Sequence, residues 1–207
     1  CIVAGGDSRF KFAMPVYGCG FLRENSVWKA SEFGKMSRTQ SDKWHKLWDP
    51  SSYLASARMP VAFLNGTNDF AYPMDSYAKS CALVRTEKNY SIQLRMPHGH
   101  IFDFKEFFSF ADQYLKGGVP MPVVSKPELK DGKLTATVKA STKLVSARLH
   151  YTTDPHAKNK SRPWMTKELI VEGNNIKGES PPKEATAWYV DLTDSRKLLV
   201  SSEVIVK

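Results

Sequence analysis

An α/β layer over residues 1–118, followed by a Pro-rich connector and a small antiparallel β-sandwich over residues 119–207, is the architecture expected for this chain. Two textures and one break carry that expectation. Up to about Gly118, short apolar runs alternate with stretches of helical spacing, as in βαβ units built around a parallel sheet. Beyond about Val123, apolar and polar residues alternate over short runs divided by turn signals, as in antiparallel strands. Between the two lies Val119-Pro-Met-Pro-Val-Val-Ser-Lys-Pro, too rich in proline to be an element interior.

Taken in order, the chain opens on the apolar segment Cys1-Ile-Val-Ala-Gly-Gly, which reads as part of a helix. Residues 12–17 (FAMPVY) form the first expected strand. Residues 23–58 hold Trp28, Trp44 and Trp48 among many polar residues and contain no strand pattern. They read as a helical excursion between two strands, and as a candidate pocket wall. Residues 61–65 are the second strand. A helix follows over residues 74–84, with Tyr77, Ala78, Cys81 and Leu83 at helical spacing. Residues 90–96 are the third strand, more alternating. Phe107, Phe108, Ala111, Tyr114 and Leu115 then mark a helix over residues 105–115, stopped by Gly117-Gly118. In the second half, strands are expected over residues 133–140, 144–151, 187–192 and 198–206. Asp131-Gly132 and Gly173-Asn174-Asn175 supply turns between them. That spacing suits a sandwich of the immunoglobulin or fibronectin type.

Composition narrows the function classes. A hydrophobic content of 42% and an aromatic content of 12% suffice for a core and argue against intrinsic disorder. The formal charge of +9 is spread among acids, as in Lys126, Glu128, Lys130, Asp131 and Lys133, and reads as a solvated basic surface. No nucleic-acid motif accompanies it, so no nucleic-acid partner is expected. No apolar run approaches the roughly 20 residues that span a bilayer, so no membrane partner is expected. Cys1, Cys19 and Cys81 are an odd count without metal-type spacing, and Cys19 and Cys81 read as buried thiols. His98, His100 and Asp103 have no further ligand at zinc-site spacing, and glycine-rich phosphate loops are absent. Neither a metal nor another cofactor is expected.

The chemistry gathers at two places. In residues 61–73 (VAFLNGTNDFAYP) an apolar strand runs into Gly66-Thr67-Asn68-Asp69. In residues 90–104 (YSIQLRMPHGHIFDF) a second strand ends at Pro97, and His98-Gly99-His100 follow at once. Sites in open parallel sheets form beyond the carboxyl ends of the strands. Parallel strands joined by a helix bring two such loops side by side. An Asp beside a His fixes the imidazole tautomer and stabilises the imidazolium when it forms. Phe21, Phe70 and Tyr72 flank strand ends and are candidate pocket walls. Cys19, between Gly18 and Gly20, lacks the strand-turn-helix setting of a nucleophile and reads as packing or as a pocket wall.

The stretches FKFAMPVYGCGF, DPSSYL, MPVAFLNGTNDFAYP, LRMPHGH and FADQYLKGG resemble the acetyl xylan esterase and dienelactone-hydrolase-like group of α/β-hydrolases. More loosely, YTTD, Trp164 and WYVDLTDSRKLLVSSE resemble the β-sandwich that often follows that domain. The resemblance implies the last three strands of an α/β-hydrolase parallel sheet, then the sandwich. It implies that Asp69 is the acid of a Ser-Asp-His triad, in the chain order of that fold. It implies that His98 or His100 is the base. The Gly-His pattern of the superfamily favours His100, whereas His98 sits nearer the strand end. No G-x-S-x-G occurs in the chain; the resemblance places that serine, and the donors of an oxyanion hole, upstream of Cys1. The implied activity is ester hydrolysis on a small ester or an acetylated carbohydrate, in a secreted or periplasmic protein, with this chain inactive alone. A peptidase of the prolyl oligopeptidase type shares the triad order, and a non-catalytic carbohydrate-binding or scaffold module is the reading outside enzymes. Without a neighbouring strand, residues 14–17 would be a sheet edge. Its expected cover is the rest of the hydrolase domain, a segment of this chain or a second copy.

Overall fold

The computed structural model describes residues 1–99 and 103–207; His100, Ile101 and Phe102 lie outside the described residues. The described chain is a mixed, mostly β structure with few helices. It divides into two compact units that are discontinuous in sequence. The first comprises Cys1–Lys88, residues 93–99 and His156–Arg162; the second comprises Asn89–Ile92, residues 103–155 and Pro163–Lys207. No described helix is long and apolar enough to cross a membrane.

The first unit opens with the short helix α1 (Ile2–Gly6). The excursion of residues 23–58 is helical, as its sequence leads one to expect. It comprises α2 (Trp28–Ser31), a 3-10 turn at Phe33–Lys35, α3 (Arg38–Trp48) and α4 (Ser51–Leu54). Ser37 starts α3 with a capping box: its hydroxyl accepts from Gln40 N–H while the Gln40 side chain accepts from Ser37 N–H. The strand β1 (Val61–Gly66) is buried along its whole length, as a strand covered on both faces must be. The helix α5 (Met74–Leu83) follows, buried at Met74, Tyr77 and Cys81.

Residues 12–17 do not form a continuous strand. They meet β1 in two isolated parallel bridges, Ala13 to Val61 and Val16 to Leu64. Ala13 N–H donates to Pro60, Ala62 N–H to Ala13, Leu64 N–H to Pro15, and Tyr17 N–H to Leu64. The residues facing β1 are thus 13, 15 and 17. Pro15 is one of them, and the rung its N–H would supply is missing. On the other flank of β1, Val61 N–H donates to Glu87 and Thr67 N–H to Gln93, which is again parallel register. Beside residues 13–15 lies an apolar recess of about 230 Å³ lined by Val3, Ala4, Phe10, Phe12 and Met14.

The strand β2 (Lys88–Gln93) has its end residues in the first unit and Asn89–Ile92 in the second. The second unit adds α6 (Lys105–Leu115), which ends where the glycine pair stops it: Gly117 takes φ 67°, and Lys116 and Gly118 N–H both donate to Asp112. Its strands are β3 (Val123–Val124), β4 (Glu128–Lys130), β5 (Lys133–Lys139), β6 (Leu144–Thr152), β7 (Met165–Glu172), β8 (Asn175–Glu179), β9 (Ala187–Asp194), β10 (Leu199–Ser201) and β11 (Ile205–Val206). They pair in the order β2-β10-β9-β6-β7-β8-β5-β3, with β11 against β9 and β4 against β5. The β3 to β11 pairings are all antiparallel. β5 shows the cleanest alternation, with Leu134, Ala136 and Val138 buried and its lysines and threonines exposed. Asp131 and Gly132, both at positive φ, turn β4 into β5.

Gly66, the last residue of β1, sets where the loops beyond it lie. A Cβ on Gly66 would fall 1.9 Å from the Met96 carbonyl oxygen, which is backbone and cannot swing aside. Gly66→Ala is therefore expected to destabilise the protein by about 1–3 kcal/mol, the usual cost of overpacking. Urea unfolding followed by circular dichroism measures it; an unchanged midpoint would show that the residue 93–97 turn yields freely.

Candidate active site

The acid loop is braced from the strand upward. At the end of β1, the Asn65 side chain accepts from Gly66 N–H at 2.8 Å and donates to the Tyr72 carbonyl at 3.1 Å, closing the loop between them. Thr67 Oγ1 donates to Asn68 Oδ1 at 2.8 Å and accepts from Arg95 N–H at 2.7 Å. One hydroxyl thereby ties the loop after β1 to the turn after β2. Asn68 in turn donates to the carbonyls of Lys160 at 2.8 Å and Arg162 at 3.1 Å. A segment remote in sequence, His156–Arg162, is thus fastened beside the acid.

Asp69 is 1% exposed. Its Oδ1 accepts from Ala71 N–H at 2.8 Å and Tyr72 N–H at 3.0 Å, which satisfies one side of the carboxylate within its own loop. Its Oδ2 faces His98 Nδ1 at 3.1 Å. The two residues belong to the loops after β1 and β2. The His98 side chain is 30% exposed, and its Nε2 has no hydrogen-bond partner among the described residues. With Nδ1 facing a carboxylate, the tautomer protonated at Nδ1 is favoured, which leaves Nε2 as the basic nitrogen. His100 lies outside the described residues.

Three rings hold the imidazole. Tyr17 lies 4.9 Å from it, Tyr72 5.7 Å and Phe70 5.9 Å, centroid to centroid. Tyr17 is buried, sits at φ 61°, and donates its hydroxyl to the Pro97 carbonyl at 3.3 Å. Burial, then the Asp69 charge, push its phenol up from the ordinary value, so it stays protonated and remains a donor. Of the pocket walls expected from sequence, Phe70 and Tyr72 lie against His98. Phe21, at φ 60°, makes its ring contact with the Lys79 ammonium at 5.6 Å instead. Phe70 also carries the Lys160 ammonium 4.0 Å above its ring. Tyr17 had a signal that could have been read: it closes an apolar run just before a Gly, as Asn65 does. Lys160 and Asn68 had none, because their pairing spans more than ninety residues.

A cleft of about 340 Å³ is lined in part by Tyr72. Leu22, Trp28, Glu32, Phe33, Met36, Trp44 and Tyr72 line it. The excursion is therefore a pocket wall through Trp28 and Trp44, while Trp48 is 61% exposed and not among the lining residues. Among the described residues no group of three His, Cys, Asp or Glu side chains is placed to hold a metal ion.

No protein-family model matches the chain, and no curated protein matches it. Among solved structures, a pectate lyase from Pectobacterium carotovorum aligns at a TM-score of 0.26 with 8% identity, over 41% of this chain and 26% of the lyase. The aligned part is about a quarter of the lyase's length, and a likeness at that level carries no argument about fold or activity.

Cys19 is wholly buried, and burial pushes its thiol well above the ordinary value, with Cys81, Asp69, Asp49 and Asp75 adding repulsion. A raised pKa means less thiolate at any given pH, and the thiolate is the reactive form. Iodoacetamide at pH 8 is expected to alkylate the half-buried Cys1 in the native protein and to spare Cys19 until denaturant is added. Peptide mapping after labelling reads this out; native labelling of Cys19 at the rate of Cys1 would reinstate it as a nucleophile.

Proposed function

We propose that this chain carries the acid and the base of a serine ester hydrolase, Asp69 and His98, in the α/β-hydrolase arrangement. The observation that carries the reading is the 3.1 Å contact between the buried Asp69 carboxylate and His98 Nδ1, with Nε2 unpartnered among the described residues. The resemblance of residues 59–73 and 94–100 to acetyl xylan esterase-like hydrolases supports it. So do the parallel bridges on one flank of β1 and the parallel hydrogen bonds on the other. The antiparallel strands of the second unit fit the sandwich that follows such a domain.

In this reading the nucleophilic serine comes from outside these 207 residues, since no G-x-S-x-G occurs within them. His98 Nε2 takes the serine proton as the oxygen attacks an ester carbonyl, and Asp69 stabilises the imidazolium. The imidazolium then returns the proton to the leaving alcohol. Water, deprotonated by the same nitrogen, hydrolyses the acyl-enzyme. Substrates are small esters, acetylated carbohydrates among them, and the parent protein acts outside the cytoplasm. The edge of residues 14–17 away from β1 is covered in the working protein by the rest of the hydrolase domain, by a segment of this chain or by a second copy.

Two measurements test the assignment. The 207-residue chain alone is expected to turn over no aryl acetate above background. In a protein that also contains the serine, His98→Ala is expected to lower kcat by about 10⁶-fold and Asp69→Asn by about 10⁴-fold, as in well-studied serine hydrolases. His100→Ala should leave most of the activity. A reversed order, with His100→Ala disabling and His98→Ala mild, would move the base to His100. Full activity in Asp69→Asn would end the triad reading.

A further inference from the structure

We infer that the cleft beside Tyr72 is a binding site for a quaternary or alkylated ammonium group. Four aromatic side chains line it, two of them in an edge-to-face pair: Phe33 and Trp44 lie 4.9 Å apart at 77°. Trp28 and Tyr72 pack at 5.3 Å and 57°. Leu22 and the thioether of Met36 complete the apolar lining, leaving Glu32 as the one charged side chain in it. No lysine or arginine is among the lining residues, in a protein whose formal charge is +9. The other carboxylates nearby are already committed, Glu24 to Lys79 and Asp42 to Arg23. The Glu32 carboxylate has no hydrogen-bond or ion-pair partner among the described residues.

The electrostatics of those walls point one way. Aromatic faces carry negative potential and attract cations, tryptophan and tyrosine most strongly. An unpaired carboxylate adds to that attraction and repels anionic ligands. A weakly hydrated ammonium bearing methyl groups loses little on leaving water, and its methyls pack on rings. A neutral hydrocarbon would fill the same space without using Glu32. The cleft has room for such a head with a chain attached, at about 340 Å³.

The cleft adjoins the proposed base through one residue. The Tyr72 ring lies against Trp28, which also lines the cleft, and against His98, at 5.3 Å and 5.7 Å. An ester whose ammonium-bearing part sits in the cleft would present its carbonyl toward His98 Nε2. That last step rests on the hydrolase reading; the binding of the ammonium does not.

The test is binding to the 207-residue chain itself, read by quenching of tryptophan fluorescence and checked by calorimetry. Choline is the cationic probe, 3,3-dimethylbutanol its neutral isostere, methyl β-xyloside the neutral sugar and galacturonate the anion. Choline is expected to bind saturably and at least about tenfold more tightly than the isostere. Glu32→Gln and Trp28→Leu should each weaken it about threefold to thirtyfold, the range of a cation–π or single-charge contribution. Trp48→Phe, outside the cleft, should change nothing and verifies that the signal is local. Equal binding of the isostere would overturn the proposal in favour of a purely apolar pocket. Binding of the xyloside without choline would overturn it in favour of a sugar site. Absence of all binding in folded protein would overturn it outright. Each of these results leaves the His98 and Asp69 kinetics untouched, and loss of the hydrolase reading would leave the choline result standing.

Discussion

A carboxylate with almost no access to water organises the loops beyond the end of β1. Burying Asp69 costs free energy unless every lone pair that leaves water finds a donor. Its two oxygens solve this in different directions, Oδ1 inward to the N–H groups of residues 71 and 72, Oδ2 outward to His98. The first pair is local and forms as soon as the loop closes. The second depends on a different strand ending at the right height. Gly66 supplies that height, because only a residue without a Cβ lets the Met96 carbonyl come so near. Thr67 locks the same relation from the side by accepting from Arg95 N–H. The acid, the glycine and the threonine therefore act as one device for setting the distance between two loops.

The excursion uses a second buried carboxylate for a similar end. Asp49 is fully buried and accepts from Phe21 N–H, Leu22 N–H and Ser51 N–H, and from the Ser51 hydroxyl. It fastens the end of α3 to the loop that carries Leu22. Gly20 allows the approach, since a Cβ there would fall 2.6 Å from Asp49 Oδ1. Leu22 and the helices after it then face Tyr72 across the cleft. Two buried acids thus place the two sides of Tyr72, one through its own loop and one through the excursion.

Sequence patterning made some of this legible and left the rest dark, for physical reasons. Residues 61–66, 74–83 and 105–115 could be read because burial imposes periodicity on local residues, and the structure forms elements there. The strand expected at residues 12–17 reduces to two bridges because Pro15 occupies a position that must donate. β7 and β8 went unread: β7 buries only Leu169 along its length, so its alternation is faint. Asp69 was legible as an acid just past a strand end. The partnership of Asn68 with Lys160 and Arg162 was not, since a hydrogen bond to a distant carbonyl leaves no trace in residue types. The cleft was half legible: tryptophans in a polar excursion pointed to a wall, but Glu32 among them carried no mark until the rings around it were placed.

The chain contains a second His-Asp pair, and the contrast shows why residue type alone does not make a site. His150 is wholly buried, with Nε2 at 2.8 Å from Asp191 Oδ2 and Nδ1 at 2.9 Å from Thr166 Oγ1. Arg148 holds both oxygens of the same Asp191, at 3.1 and 2.9 Å, and Tyr189 stacks on the imidazole at 5.0 Å. Both ring nitrogens are used, and no face of the ring meets solvent. Such a cluster joins β6, β7 and β9 across the sheet, and removing one member would strand the others without partners. His98 differs in two respects: one nitrogen has no hydrogen-bond partner among the described residues, and three-tenths of the side chain is exposed. Proton transfer needs a nitrogen that can release what it accepts to something arriving from outside. By that criterion His150 is a strut, whereas His98 keeps one nitrogen without a partner among the described residues.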